Sequence, residues 1–163
     1  MKKSLIVLLT GGALLVTGTP ALAQTAKPTL GPYGYGTVKL GMSATKAKAT
    51  RQVVFKRSAG EGSCSGWDLK ALPTDKDSVG LYISKTVGVA VIFAQKGVKT
   101  PQGIGLGSSL KQVKKAYPKV KNSASGFPYV AVPGNPKASY VFIHAKGKVR
   151  EMAMSLNTQD CVN

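Results

Sequence analysis

Two stretches of this chain resemble each other closely enough to constrain any fold it adopts. Leu40-Gly41-Met42-Ser43-Ala44-Thr45-Lys46-Ala47-Lys48 aligns with Leu106-Gly107-Ser108-Ser109-Leu110-Lys111-Gln112-Val113-Lys114 at an offset of 66. A second echo follows at an offset of 60, where Leu81-Tyr82-Ile83 matches Val141-Phe142-Ile143. A unit used twice must bury matching apolar faces twice, which favours one shared core over two separate ones.

The first pair of segments reads as helix starts. Ser109 can cap a helix, with Gln112 three residues on to close a capping box. Leu110, Val113 and Tyr117 then share one face, while Lys111, Lys114 and Lys115 turn to water. Pro118 disfavours helical geometry at Tyr117 and ends the element. Ser43 caps the earlier helix in the same way, with Ala44, Ala47 and Arg51 along a weaker stripe.

Between these helices the period changes from 3.6 to 2. Val79, Leu81 and Ile83 alternate with Gly80, Tyr82 and Ser84, and Val87–Phe93 alternates likewise. In the second half Val141, Ile143 and Ala145 alternate with Tyr140, Phe142 and His144; a Lys146-Gly147 turn leads to Met152, Met154 and Leu156. The expected fold class is therefore α+β: two tandem repeats, 33–99 and 100–163, each a short helix followed by antiparallel strands, with helices on one face of the sheet.

Residues 1–23 read as a secretory signal. Lys2 and Lys3 precede an apolar run broken by Gly11 and Gly12, and Ala21-Leu22-Ala23 is a small-x-small cleavage site. The run is too short for a membrane span, and no later stretch approaches the ~20 apolar residues one requires. Removal leaves 140 residues of charge +15. Residues 24–32 read as a flexible, turn-rich leader, and 33–163 as a single domain, expected to be monomeric. An oxidising destination pairs the only two cysteines, Cys64 and Cys161, in a disulfide closing a loop of about 100 residues. Two free buried thiols are the alternative.

The phrase Val38-Lys39-Leu40-Gly41-Met42-Ser43, entering a short helix and echoed at 106–109, resembles the secreted β-lactamase inhibitory protein family. The resemblance spans roughly 33–163. It implies a concave sheet with helices behind it and an open face that grips a partner protein. The chain departs from that pattern at Ser108, where the motif prefers methionine, in having one cysteine per half, and in its basicity. Inhibition of a β-lactamase is not carried over.

The residues offer little to catalysis. Gly62-Ser63-Cys64-Ser65-Gly66 imitates a nucleophile elbow, but an elbow needs a strand-turn-helix setting and a histidine base. His144, the sole imidazole, lies within an alternating strand, and the six acids show no paired spacing. Gly103–Ser108 before a helix lacks the Lys-Ser/Thr ending of a phosphate loop. We expect no enzyme, no cofactor and no metal.

Two binding readings remain. Parity puts Tyr82, Tyr140 and Phe142 opposite the aliphatic positions, on an open face suited to an extracellular protein partner. The formal charge of +17, with Lys111, Lys114, Lys115, Lys119 and Lys121 clustered around the second helix, suits an anionic envelope polymer. The same lysines would equally serve as a solvated, solubilising face. The favoured reading is a secreted, non-catalytic binding module; a basic, envelope-associated, polyanion-binding protein is the alternative.

Overall fold

The two serine-capped turns open the two helices. In the computed structural model, which describes residues 29–58 and 62–162, α1 spans Ala44–Ala49, with Ser43 accepting from the Lys46 N–H. Helix α2 spans Leu110–Ala116, and Ser109 and Gln112 form the reciprocal capping box. Both are short, because Tyr117-Pro118 stops α2 and Arg51 leaves helical geometry for a positive φ of 58° just beyond α1.

Strands make up the rest. β1 (Leu30–Gly31), β2 (Gly34–Tyr35) and β3 (Val38–Lys39) form a small antiparallel sheet. β4 (Val53–Ser58), β5 (Cys64–Leu69), β6 (Leu81–Ser84), β7 (Gly88–Phe93), β8 (Lys121–Asn122), β9 (Pro128–Val132), β10 (Asn135–Ala145) and β11 (Lys148–Leu156) form one antiparallel sheet, ordered β4-β5-β6-β7-β11-β10-β9-β8. β4 to β7 follow one another as a meander, β8 to β11 as another, and the two meet at β7–β11.

The expected α+β class, with helix-then-strand tandem repeats, is thereby corrected to a mostly β protein. About 46% of the described residues are strand and 10% helix. The helices are six and seven residues long, and a separate three-stranded sheet precedes α1. The physical reason is pairing between strands rather than local pattern. Val53–Ser58 and Pro128–Val132 lack clean alternation yet are held by register with their neighbours, and β10 runs to eleven residues because Tyr140 and Phe142 anchor it in the core.

Core geometry follows the cross-strand pairs. Phe55, Trp67, Leu81, Ile92, Met154, Tyr140 and Val130 face one another in turn across seven strands, on one side of the sheet. Ala47 of α1, Val113 of α2, and Leu30 and Val38 of the small sheet join them in a single apolar cluster. Both helices and the small sheet thus cover one face. Gly88 shows how tightly they close: its φ is 74°, and a Cβ there would stand 2.5 Å from the Met42 carbonyl oxygen. The similar turns at 41–42 and 107–108 make matching bonds. Gly41 N–H donates to Val89 O and Val89 N–H to Met42 O; Gly107 N–H donates to Val149 O and Val149 N–H to Ser108 O.

The signal at 1–23 and residues 24–28 of the leader lie outside the described residues. The end of that leader is corrected. Leu30 is fully buried, its carbonyl accepts from the Tyr140 hydroxyl at 2.7 Å, and the Pro32 carbonyl accepts from Asn135 Nδ2 at 2.8 Å. An apolar residue with its backbone paired on both sides is part of the fold. Cys64 and Cys161 form a disulfide with Cα atoms 5.7 Å apart, tying the tail after β11 to β5. No helix among the described residues is long and apolar enough to cross a membrane.

Candidate functional site

Strand parity leaves the other face of the large sheet without helices. Gly66, Tyr82, Val91 and Ser155 pair in turn across β5, β6, β7 and β11, and Phe93, Ala153, Val141 and Tyr129 do so across β7, β11, β10 and β9. Tyr82, Phe93, Val141, Ile143 and Tyr129 are each half-buried there. Tyr82 and Phe93 meet edge to face, with ring centroids 5.9 Å apart and planes at 75°. They floor a shallow cleft of about 220 Å³, with Arg57, Asp77 and Glu151 around it and Val79 at one wall.

One wall is the 70–79 loop, folded over β5. Asp68 organises that loop: its carboxylate accepts from the Thr74 N–H (3.1 Å), Thr74 Oγ1 (2.7 Å) and the Gly80 N–H (2.9 Å), and pairs with Lys56 Nζ at 3.0 Å. Burial pushes the Asp68 carboxyl up, but these donors outweigh it and hold it below the usual carboxylate range. Gly66 gives Val79 its place, since a Cβ on Gly66 would stand 2.6 Å from Val79 Cγ1. The cleft thus rests on a fixed wall rather than a loose loop.

Of the three aromatics expected on the open face, the structure places only Tyr82 there. Tyr140 and Phe142, 1% and 0% exposed, are corrected to core residues. Tyr117, at the end of α2, packs on both, with centroids 5.9 and 5.8 Å away. Burial raises the Tyr140 hydroxyl well above the ordinary tyrosine value, with the Tyr117 hydroxyl adding to it. The half-buried apolar positions on β10 are instead Val141 and Ile143. The sequence reading missed Phe93, Arg57, Asp77 and Glu151. Phe93 and Glu151 were signalled by parity, since each adjoins a core residue, Ile92 and Met152. Asp77 arrives through the loop and carried no local signal.

The five lysines lie elsewhere. Lys111, Lys114 and Lys115 project from α2, Lys119 follows it, and Lys121 is on the edge strand β8; all five are exposed. The one ion pair among the described residues is Lys56–Asp68, so none of the five is matched by an acid.

Cys64 lies in a strand and is disulfide-bonded, so the elbow-like sequence around it forms no elbow. The one grouping of potential metal ligands among the described residues, Cys64, Asp160 and Cys161, has both sulfurs in that disulfide. Asp160 serves the tail: hydrogen bonds from Ser84 (3.0 Å) and Ser63 (3.2 Å) hold its carboxyl below the usual range. His144 packs edge-on against Phe127 at 6.2 Å.

No protein-family model and no curated protein matches the chain. Among solved structures, the uncharacterized protein YfeY from Escherichia coli is similar in fold. It is 12% identical, with a TM-score of 0.50, over 79% of this chain and 99% of that one. At that identity the likeness is one of fold alone.

Proposed function

We propose that this is an exported, non-catalytic binding protein that recognises a partner protein through the helix-free face of its large sheet, at the Tyr82–Phe93 cleft. The observation that carries the reading is the asymmetry of the sheet. One face is sealed by helices and the small sheet, whereas the other leaves paired aromatics half-exposed in a cleft ringed by charges. Aromatic anchors within a charged rim are the usual composition of a protein-recognition patch. The disulfide supports an oxidising destination, and the resemblance to β-lactamase inhibitory proteins supports recognition by an open sheet.

The test is capture from the medium of the cells that make the protein. Immobilised wild type should retain a partner that a folded Tyr82→Ala/Phe93→Ala variant does not. Equal retention by both would refute the reading. A second reading has its own support in the five unmatched lysines, which fit an anionic envelope polymer. Elution from heparin only at high salt, lost when all five lysines become glutamine, would favour it.

A further inference from the structure

We infer that β4, the outer strand of the large sheet, is a second binding site, which takes an extended acidic segment of a partner protein by strand addition. This goes beyond the cleft reading and does not depend on it. β4 pairs with β5 on one side, and no described strand pairs with its other side. The hydrogen-bond pattern fixes which of its backbone groups are free. Gly80 N–H bonds Trp67 O, and Lys70 N–H bonds Gln52 O. Trp67 therefore turns its backbone towards β6, and its neighbour Asp68 towards β4. Val54, opposite Asp68, is engaged with β5; Val53 and Phe55, opposite Leu69 and Trp67, point their N–H and C=O groups away from the sheet.

The side chains of this edge are also the wrong ones for a strand that faces only water. Val54 and Phe55 are 49% and 52% exposed, among the few large apolar residues so open in this fold. Beside them lies a cleft of about 330 Å³ reaching to Pro73 and Thr74. Its charge is positive. Asp68 is matched by Lys56, which leaves Lys70 and Lys76, while Asp75 and Asp77 do not line it. Arg57 is exposed on the strand itself. An extended chain satisfies the outward backbone groups; its apolar residues meet Phe55 on the helix-covered side, and its acids, which point to the other side, meet the cations around Val54.

A second copy of this chain is a poor occupant. It would set Lys56 and Arg57 against a like-charged strand, and like charges across a pair are destabilising. The bulge between Phe55 and Arg57 adds to that barrier by limiting the free edge to its first three residues. Those charges turn away a copy and admit an acidic partner.

The test uses the oxidised protein and a capped eight-residue peptide alternating glutamate with valine, followed by amide hydrogen exchange. The peptide should slow exchange at Val53 and Phe55 at least tenfold and leave Val54, already paired, nearly unchanged. A peptide with lysine in place of glutamate should do neither. Lys70→Glu/Lys76→Glu should weaken binding of the glutamate peptide at least tenfold. No binding of the glutamate peptide, binding without protection at Val53 and Phe55, equal protection by the lysine peptide, or binding indifferent to the charge reversal would each overturn the inference. So would a peptide-free dimer in which those two amides are already protected.

Discussion

The β6–β7 and β10–β11 hairpins occupy corresponding places on either side of the sheet's centre, yet the residues that look equivalent in them face opposite ways. Tyr82 lies in the open cleft, whereas Phe142, its match at an offset of 60, is fully buried. Turn length explains it. Ser84 faces Gly88 across a three-residue loop, whereas Ala145 faces Lys148 across the two-residue turn Lys146-Gly147, both of whose residues have positive φ. From β6 to β10 the structural offset is therefore one residue more than from β7 to β11. Leu81 faces Ile92, and Phe142 faces Met152. A single residue inverts a face.

The bulges complete the correction. The break in register between Ile143 and His144 leaves Arg150 as the extra residue on β11. Without it, the turn would set Phe142 against exposed Glu151; with it, Phe142 meets Met152 and Tyr140 meets Met154. Alternation can say that 140 and 142 oppose 141 and 143. It cannot say which set is inside.

The strongest way to break the comparison is to truncate both aromatics. Phe142→Ala should cost about 3–5 kcal/mol in urea unfolding, as full burial of a large ring implies. Tyr82→Ala should cost about 1 kcal/mol or less. Similar costs at the two sites would mean that the faces are assigned wrongly.

The disulfide is the next largest effect, because it ties the tail of the second hairpin to the strand beside the first. With a sequence separation of 97, Cys64→Ser/Cys161→Ser should lose about 2–4 kcal/mol. The helix-covered core should remain able to form at low temperature, and circular dichroism would show it. The intact protein should yield no alkylatable thiol before reduction.

Asp68 sharpens the comparison at the cleft wall. Its carboxyl titrates lower in the folded chain than in the unfolded one. Its stabilising contribution is therefore complete above the ordinary aspartate range and is lost as pH falls through its depressed folded value. Asp68→Asn should cost about 1–3 kcal/mol at neutral pH and flatten the acid limb of a stability profile below the ordinary aspartate range. It should also expose the 70–79 loop to proteolysis.

The smallest effect belongs to the lysines. Replacing Lys111, Lys114, Lys115, Lys119 and Lys121 with glutamine should change stability by no more than about 0.5 kcal/mol per site. A cooperative unfolding curve near that of wild type would confirm that they serve neither face of the sheet structurally.

Individual caps and turns were legible in local chemistry, but the fold class was not. Ser109 with Gln112, Pro118 after Tyr117, and the Lys146-Gly147 turn each act through neighbours in sequence, and each appears as read. The disulfide followed from a count of two. What escaped depends on distant partners. β4 is a strand because β5 pairs with it, and Leu30 is core because Tyr140 reaches its carbonyl. Asp77 reaches the cleft because Asp68 and Gly66 shape a loop. These are consequences of register and closure, which no window of sequence contains.

Hydroxyl-radical footprinting of the protein, alone and with the partner it captures, tests the central claim most directly. Tyr82 and Phe93 should be oxidised in the free protein and protected in the complex, while Tyr140 and Phe142 stay unmodified in both. Oxidation of Tyr82 and Phe93 that the partner leaves unchanged, or ready oxidation of Tyr140 and Phe142, would contradict the account.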